Sequence, residues 1–244
     1  MLDLLKDIVA HTNKLGFLNI IKVIGSSEQT LIESMAEDRS VVLYAETTDP
    51  YPDLLGTFGM PQLEKLAYLV DGKEYQEGAK IELTKAQRQG VDILTGLHFE
   101  NKDGDFKNDY LFVNQNIVDE KLKTVTFKGV KWNLTLNPSV QAIQRFAFQA
   151  GANTEHTTCV AKTEGDKLIF TFGGMGTHGG EFVFATGITG SITKAWPWPI
   201  NPVLSILKIA DSNNTTMSFS NEGALQIELD SGIAKYKYII PAQT

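Results

Sequence analysis

His156, Cys159 and His178 are the residues whose types most readily do chemistry, since imidazole and thiolate serve as zinc ligands and as nucleophile partners. Their spacing matches no closed ligand set, and Cys159 is the single cysteine among 244 residues. The stretch FGGMGTHGGEF places Gly174, Gly176 and Gly179 in G-x-G-x-x-G spacing, which a dinucleotide site uses between a strand and a helix. Here EFVFAT follows and reads as a strand, so the glycines predict a flexible hairpin loop. Glu37-Asp38 and Asp103 with Asp105 sit in turn-like segments and serve solubility rather than general acid chemistry. No Ser-His-Asp arrangement has a recognisable elbow. Trp196 and Trp198 in WPWP could stack on bases or sugars, yet the run leads straight into a capped helix, where an aromatic staples the turn to the core. These residues predict no catalytic group, no metal and no cofactor.

Four segments have helical period. In residues 2–15, Leu4, Leu5, Ile8, Thr12 and Leu15 share one face, with Asp3, Lys6, Asp7, Ala10 and Lys14 opposite and Gly16 as the stop. Residues 61–71 open with Pro61 in the first turn, bury Leu63, Leu66, Ala67 and Val70, show Glu64, Lys65 and Tyr68, and end at Gly72. The third helix opens with Asn137 as the N-cap and Pro138 at the first helical position, and closes at Gly151. It buries Val140, Ile143, Phe146, Ala147 and Ala150 and leaves Gln141, Arg145 and Gln149 as a polar stripe. A fourth repeats that opening with Asn201 and Pro202, burying Val203, Leu204, Leu207 and Ala210 while Ser205 and Lys208 look outward.

Short strands fill the rest, at 17–24, 29–34, 40–47, 80–84, 91–98, 110–113, 156–161, 167–172, 181–186, 215–220, 224–230 and 233–240. Helix, three strands, helix, three strands occurs twice, a repeat of architecture at low sequence similarity. The expected fold class is α+β, with two similar domains, each two helices packed on antiparallel sheets. The boundary falls in NQNIVDEKLKT, which is polar and poor in strand pattern, giving domains 1–113 and 125–244 joined by a connector at 114–124, with a strand from Val125 to Leu136 opening the second half.

Lys plus Arg is 22 against 29 for Asp plus Glu, a net charge of −7, which argues against a generally sticky nucleic-acid binder but not against a local basic surface. With 42% hydrophobic residues, no long disordered tract is expected. A lone cysteine suits a reducing compartment. The charged N-terminal segment lacks a signal peptide's apolar core, and no run approaches a membrane span, which predicts the cytoplasm.

Taken together, the two-fold repeat, FGMPQLEKLAYLVDG, WPWPINPVLSILKIAD and the closing KYKYIIP resemble a DNA polymerase sliding clamp, the processivity factor of T-even-type bacteriophages, similar to PCNA-type clamps. The resemblance implies the DNA clamp fold, a homotrimeric ring around double-stranded DNA held without sequence preference, and no enzymatic activity. It also implies a replicative DNA polymerase and an ATP-dependent clamp loader as partners, possible sharing with late transcription proteins, and residence in the infected host cell's cytoplasm. In such rings the helices line the hole, which implies DNA-facing roles for Lys6, Lys14, Lys65, Arg145 and Lys208. Partner peptides dock near the connector and C-terminus, which implies Val118, Leu122, Tyr238, Ile240 and Pro241. The four helical segments depart from a basic lining, because Asp3, Asp7, Glu64, Asp71 and Asp211 balance the five cations. A duplicated β-rich viral structural or carbohydrate-binding module is the alternative, and an enzyme using His156, Cys159 or His178 a third.

Overall fold

The computed structural model describes residues 1–88, 90–122 and 127–243. Contacts divide the chain into two compact units: Met1–Glu37, Leu43–Val125 and Ser231–Tyr236 form the first, and Asp38–Val42, Thr126–Asp230 and Lys237–Thr244 the second.

In the first unit, helix α1 (Leu2–Ala10) buries Leu4, Leu5, Ile8 and Val9. It stops short of the predicted Leu15. The Thr12 hydroxyl donates back to the Ile8 carbonyl, a local bond that competes with helix continuation, and a separate 3₁₀ turn covers Asn13–Leu15 before Gly16 closes it at φ 88°. Strands β1 (Ile20–Gly25), β2 (Thr30–Met35), β3 (Val42–Thr47) and β4 (Gly56–Pro61) follow, of which β4 carried no recognised strand signal. Helix α2 (Leu63–Asp71) starts two residues later than predicted, because Pro61 ends β4 paired with Ile20 and Gln62 makes the corner at φ 52°.

Beyond it come β5 (Lys80–Arg88), β6 (Val91–Glu100), β7 (Lys107–Leu111) and β8 (Val113–Asn114). Within this unit the strand orders are β8-β4-β1-β2-β3 and β5-β6-β7. Pairing Val23 with Ile32 on one side and Phe58 on the other puts all three on the buried face, as period-two alternation requires.

Gln115–Leu122 forms helix α3, although the sequence reads there as an irregular connector. Val118 and Leu122, one turn apart, are its buried side, and the Asp119 carboxylate takes the Lys22 ammonium of β1 at 2.6 Å. The predicted connector end at 123–124 and the strand start at Val125 lie outside the described residues.

The second unit contains β9 (Leu134–Leu136), α4 (Val140–Ala152), β10 (Thr158–Glu164), β11 (Lys167–Phe172), β12 (Gly180–Thr186), β13 (Pro197–Pro199), α5 (Ile200–Lys208), β14 (Thr215–Phe219) and β15 (Ala224–Asp230). The last strand, β16 (Ala234–Pro241), begins in the first unit and finishes in the second. Within this unit the strand orders are β12-β11-β10-β13 and β16-β15-β14-β9. Ser139, not Asn137, caps α4, its side chain accepting from the Ala142 amide. Pro199 rather than Asn201 precedes α5. Phe146 anchors α4 on the sheet, with ring centroids 5.2 Å from Phe170 and 5.5 Å from Phe172 in edge-on contacts. Val140, expected inside, is exposed, since Ala142 takes the inward position.

Candidate nucleic-acid interface

Helix α1 packs on α2, and α4 packs on α5. An amphipathic helix spending its apolar stripe on the core must turn its other side to solvent, and that side carries the cations singled out in the sequence. They are not equivalent. Lys6 is half-buried, and its ammonium donates to Gln76 Oε1 at 2.5 Å, while Gln76 Nε2 donates to the Val70 and Gly72 carbonyls at the end of α2. Lys14 pairs with Asp71 at 3.0 Å. Lys65 donates to the Asp109 carbonyl on β7 at 2.9 Å. Arg145 on α4 and Lys208 on α5 are exposed, and among the described residues neither has an ion-pair or hydrogen-bond partner. The engagements of Lys6 and Lys65 span 70 and 44 residues of sequence, so no local periodicity signals them.

Of the five carboxylates, Asp3 and Glu64 lie in first helical turns, where the helix dipole favours negative charge, and Asp71 ends α2. Asp211 follows α5 and accepts from the Asn213 amide. Asp7 turns inward, accepting hydrogen bonds from the Tyr236 hydroxyl at 2.7 Å and the Ser231 hydroxyl at 3.0 Å, with His11 Nδ1 at 3.3 Å. Burial pushes its pKa up, but the bonds from His11, Tyr236 and Ser231 win and hold it below the ordinary carboxylate value.

The partner-binding candidates divide by burial. Val118, Leu122, Tyr238 and Ile240 are core side chains, each at most 7% exposed, because α3 and β16 turn their apolar positions inward. Pro241 alone among them is exposed. Sequence patterning could not separate a buried alternating strand from an apolar lip, since both read KYKYIIP.

The remaining motifs take structural places. Gly173 to Gly179 connect β11 to β12, with the Thr177 hydroxyl donating to the Gly174 carbonyl, and no helix follows. His156 Nε2 lies 2.7 Å from the His178 carbonyl, not its ring. Cys159 is buried, which pushes its thiol up to about 12 and removes the thiolate a nucleophile needs. Among the described residues no three His, Cys, Asp or Glu side chains gather as a metal site, and no helix is long and apolar enough to cross a membrane. Trp198 is wholly buried against Phe219, and Trp196 Nε1 donates to the Asn221 carbonyl at 3.0 Å, so the pair ties the segment leading into α5 to β14 and the turn that follows it. Two aromatics do face solvent on the helices, Tyr68 on α2 at 82% and Phe148 on α4 at 73%.

Two units, each with a helix pair and antiparallel sheets, make this the PCNA-type DNA clamp fold. A structure of A. fulgidus PCNA with the C-terminal region of FEN-1 bound matches with a TM-score of 0.70 at 12% identity, over 100% of this chain and 96% of that one. PCNA from Thermococcus kodakaraensis matches at TM-score 0.69 and 11% identity, over 100% and 97%. PCNA from Entamoeba histolytica matches at 0.69 and 13%, over 100% and 96%. No protein-family model and no curated protein matches the sequence.

Proposed function

We propose that this chain is a sliding clamp, a non-enzymatic ring of three head-to-tail copies that encircles duplex DNA and tethers a replicative DNA polymerase. The observation that carries the reading is the clamp fold along the whole chain, with solvent-facing cations on helices of both units. A ring needs only sequence-independent phosphate contacts, few enough to let it slide, because topology supplies retention. Lys6, Lys14, Lys65, Arg145 and Lys208 are the cations proposed to lie on the helix surfaces that face DNA, a position that by itself assigns no phosphate contact to any of them, and residues 1–113 and 125–244 are the two clamp domains joined at 114–124. The reading includes kinship with T-even-type phage factors, work in the infected cell's cytoplasm, and an ATP-dependent loader, since a closed ring cannot thread onto DNA lacking free ends. Late transcription proteins are further candidate partners.

Ring closure needs a heterologous contact between copies, and free strand edges are suited to it. Strands β7 and β12 each lie at a sheet edge. Beside β7 stands α2 with Tyr68, tied by the Lys65 bond to Asp109, and beside β12 stands α4 with Phe148, whose neighbour Gln149 lies against Gly180. For docking of short partner segments, as the C-terminal region of FEN-1 is bound by A. fulgidus PCNA, Pro241 supplies surface, and Val118, Leu122, Tyr238 and Ile240 support it from the core.

Light scattering after size exclusion tests the assembly: a trimer has a mass of about 81 kDa, and a stable monomer of 26.9 kDa at micromolar concentration rejects the ring. Polymerase run length on a primed circular template, with the loader present, tests the tether. Cys159→Ser keeps that activity, and its complete loss without unfolding would revive the enzyme reading.

A further inference from the structure

The helix cations and carboxylates are distributed unevenly between the two units. In the first unit, α1 with its following 3₁₀ turn and α2 carry Lys6, Lys14 and Lys65 against Asp3, Asp7, Glu64 and Asp71, a net of −1. In the second, α4 and α5 carry Arg145 and Lys208 and no carboxylate, a net of +2. Geometry sharpens the difference. All three cations of α1, its following turn and α2 are held by protein oxygens, Lys6 on Gln76, Lys14 on Asp71 and Lys65 on the Asp109 carbonyl, while Arg145 and Lys208 have no such partner among the described residues. A lysine whose charge is already answered by a carboxylate 3.0 Å away must give up that pair before it can neutralise a phosphate, whereas a free guanidinium displaces only water and presents a planar fork that fits phosphate.

We infer that the helix surface of the second unit carries the contacts to the phosphodiester backbone, through Arg145 and Lys208, and that the helix surface of the first unit is a weakly interacting wall whose cations are retained by the protein. The inference rests on the clamp reading and deepens it. It explains how a helix set with five cations and five carboxylates attracts DNA at all: Asp211 lies past the end of α5, and the other four carboxylates lie in the first unit. A ring built this way alternates adhesive and neutral sectors around the hole, which keeps the number of phosphate contacts low.

The test is the salt dependence of binding to a random-sequence duplex of about 30 base pairs, measured by anisotropy between about 20 and 150 mM NaCl, where each phosphate contact adds about 0.9 to the slope of log affinity against log salt. Arg145→Gln with Lys208→Gln flattens the slope by at least about 0.9, and Lys14→Gln with Lys65→Gln leaves it unchanged. Asp71→Asn, which frees Lys14 and removes a carboxylate, steepens it. Circular dichroism and elution volume confirm that each variant stays folded and assembled. Equal flattening by both double variants, an unchanged slope in Arg145→Gln with Lys208→Gln, or no steepening by Asp71→Asn overturns the uneven lining alone. A wild-type trimer that binds no duplex at the lowest salt overturns the clamp reading and this inference with it.

Discussion

Asp7 shows how one side chain can look like surface charge and act as internal structure. On a helical wheel it belongs to the solvent stripe of α1, yet its carboxylate gathers the hydroxyls of Ser231 and Tyr236, and His11 stacks on the Tyr236 ring at 4.1 Å. Because its folded pKa lies below the usual 3.8, the stability it contributes is fully present above that value and is lost as pH falls through the folded pKa. Asp7→Asn is therefore expected to lower stability by about 1.5–3 kcal/mol near neutral pH and to flatten the acid limb of a pH-resolved urea titration. Nothing near Asp7 in sequence announces partners 224 and 229 residues away, so this role was not legible, whereas the burial of Leu4, Leu5 and Ile8 on the same helix was. The same limit applies to Lys14 and Lys65. Their outward position follows from helical period, and their occupied state depends on chain segments that only folding brings near.

At the scale of elements, periodicity located all four long helices and most strands, and the errors cluster where side chains bond to nearby backbone. Thr12 ended α1 early, and Ser139 displaced Asn137 as the cap of α4. Helix α3 escaped notice because a two-turn helix with only Val118 and Leu122 buried has too short an apolar stripe to rise above a polar linker. Strand β4 was hidden by Gly56 and Gly59, yet Gly59 is what lets α3 approach: a Cβ there would lie 2.6 Å from Val113 Cγ2 and 2.7 Å from Val118 Cβ. Gly59→Ala is expected to cost about 1–3 kcal/mol through overpacking and to raise protease cleavage within 115–122, read by chemical denaturation and limited proteolysis. If cleavage there does not change, α3 is not seated by this close approach.

For the whole molecule, the doubled architecture was visible in the alternation of periods, while the exposure of Tyr68 and Phe148 was not, because an exposed aromatic and a buried one look alike on a wheel. In the proposed ring Tyr68 and Phe148 lose solvent contact, so Phe148→Asp and Tyr68→Asp are each expected to shift scattering mass from about 81 kDa toward 26.9 kDa without loss of helical circular dichroism. A trimer as stable as wild type in both variants would remove these aromatics from the contact. The course of β16 has a further consequence. Ser231–Tyr236 belong to the first unit, where the Thr48 amide donates to the Ile233 carbonyl at 2.8 Å and Tyr236 reaches Asp7. During synthesis, then, the first unit stays unfinished, with a sheet edge left open, until Ser231–Tyr236 have been made, after the whole of the second unit up to Asp230.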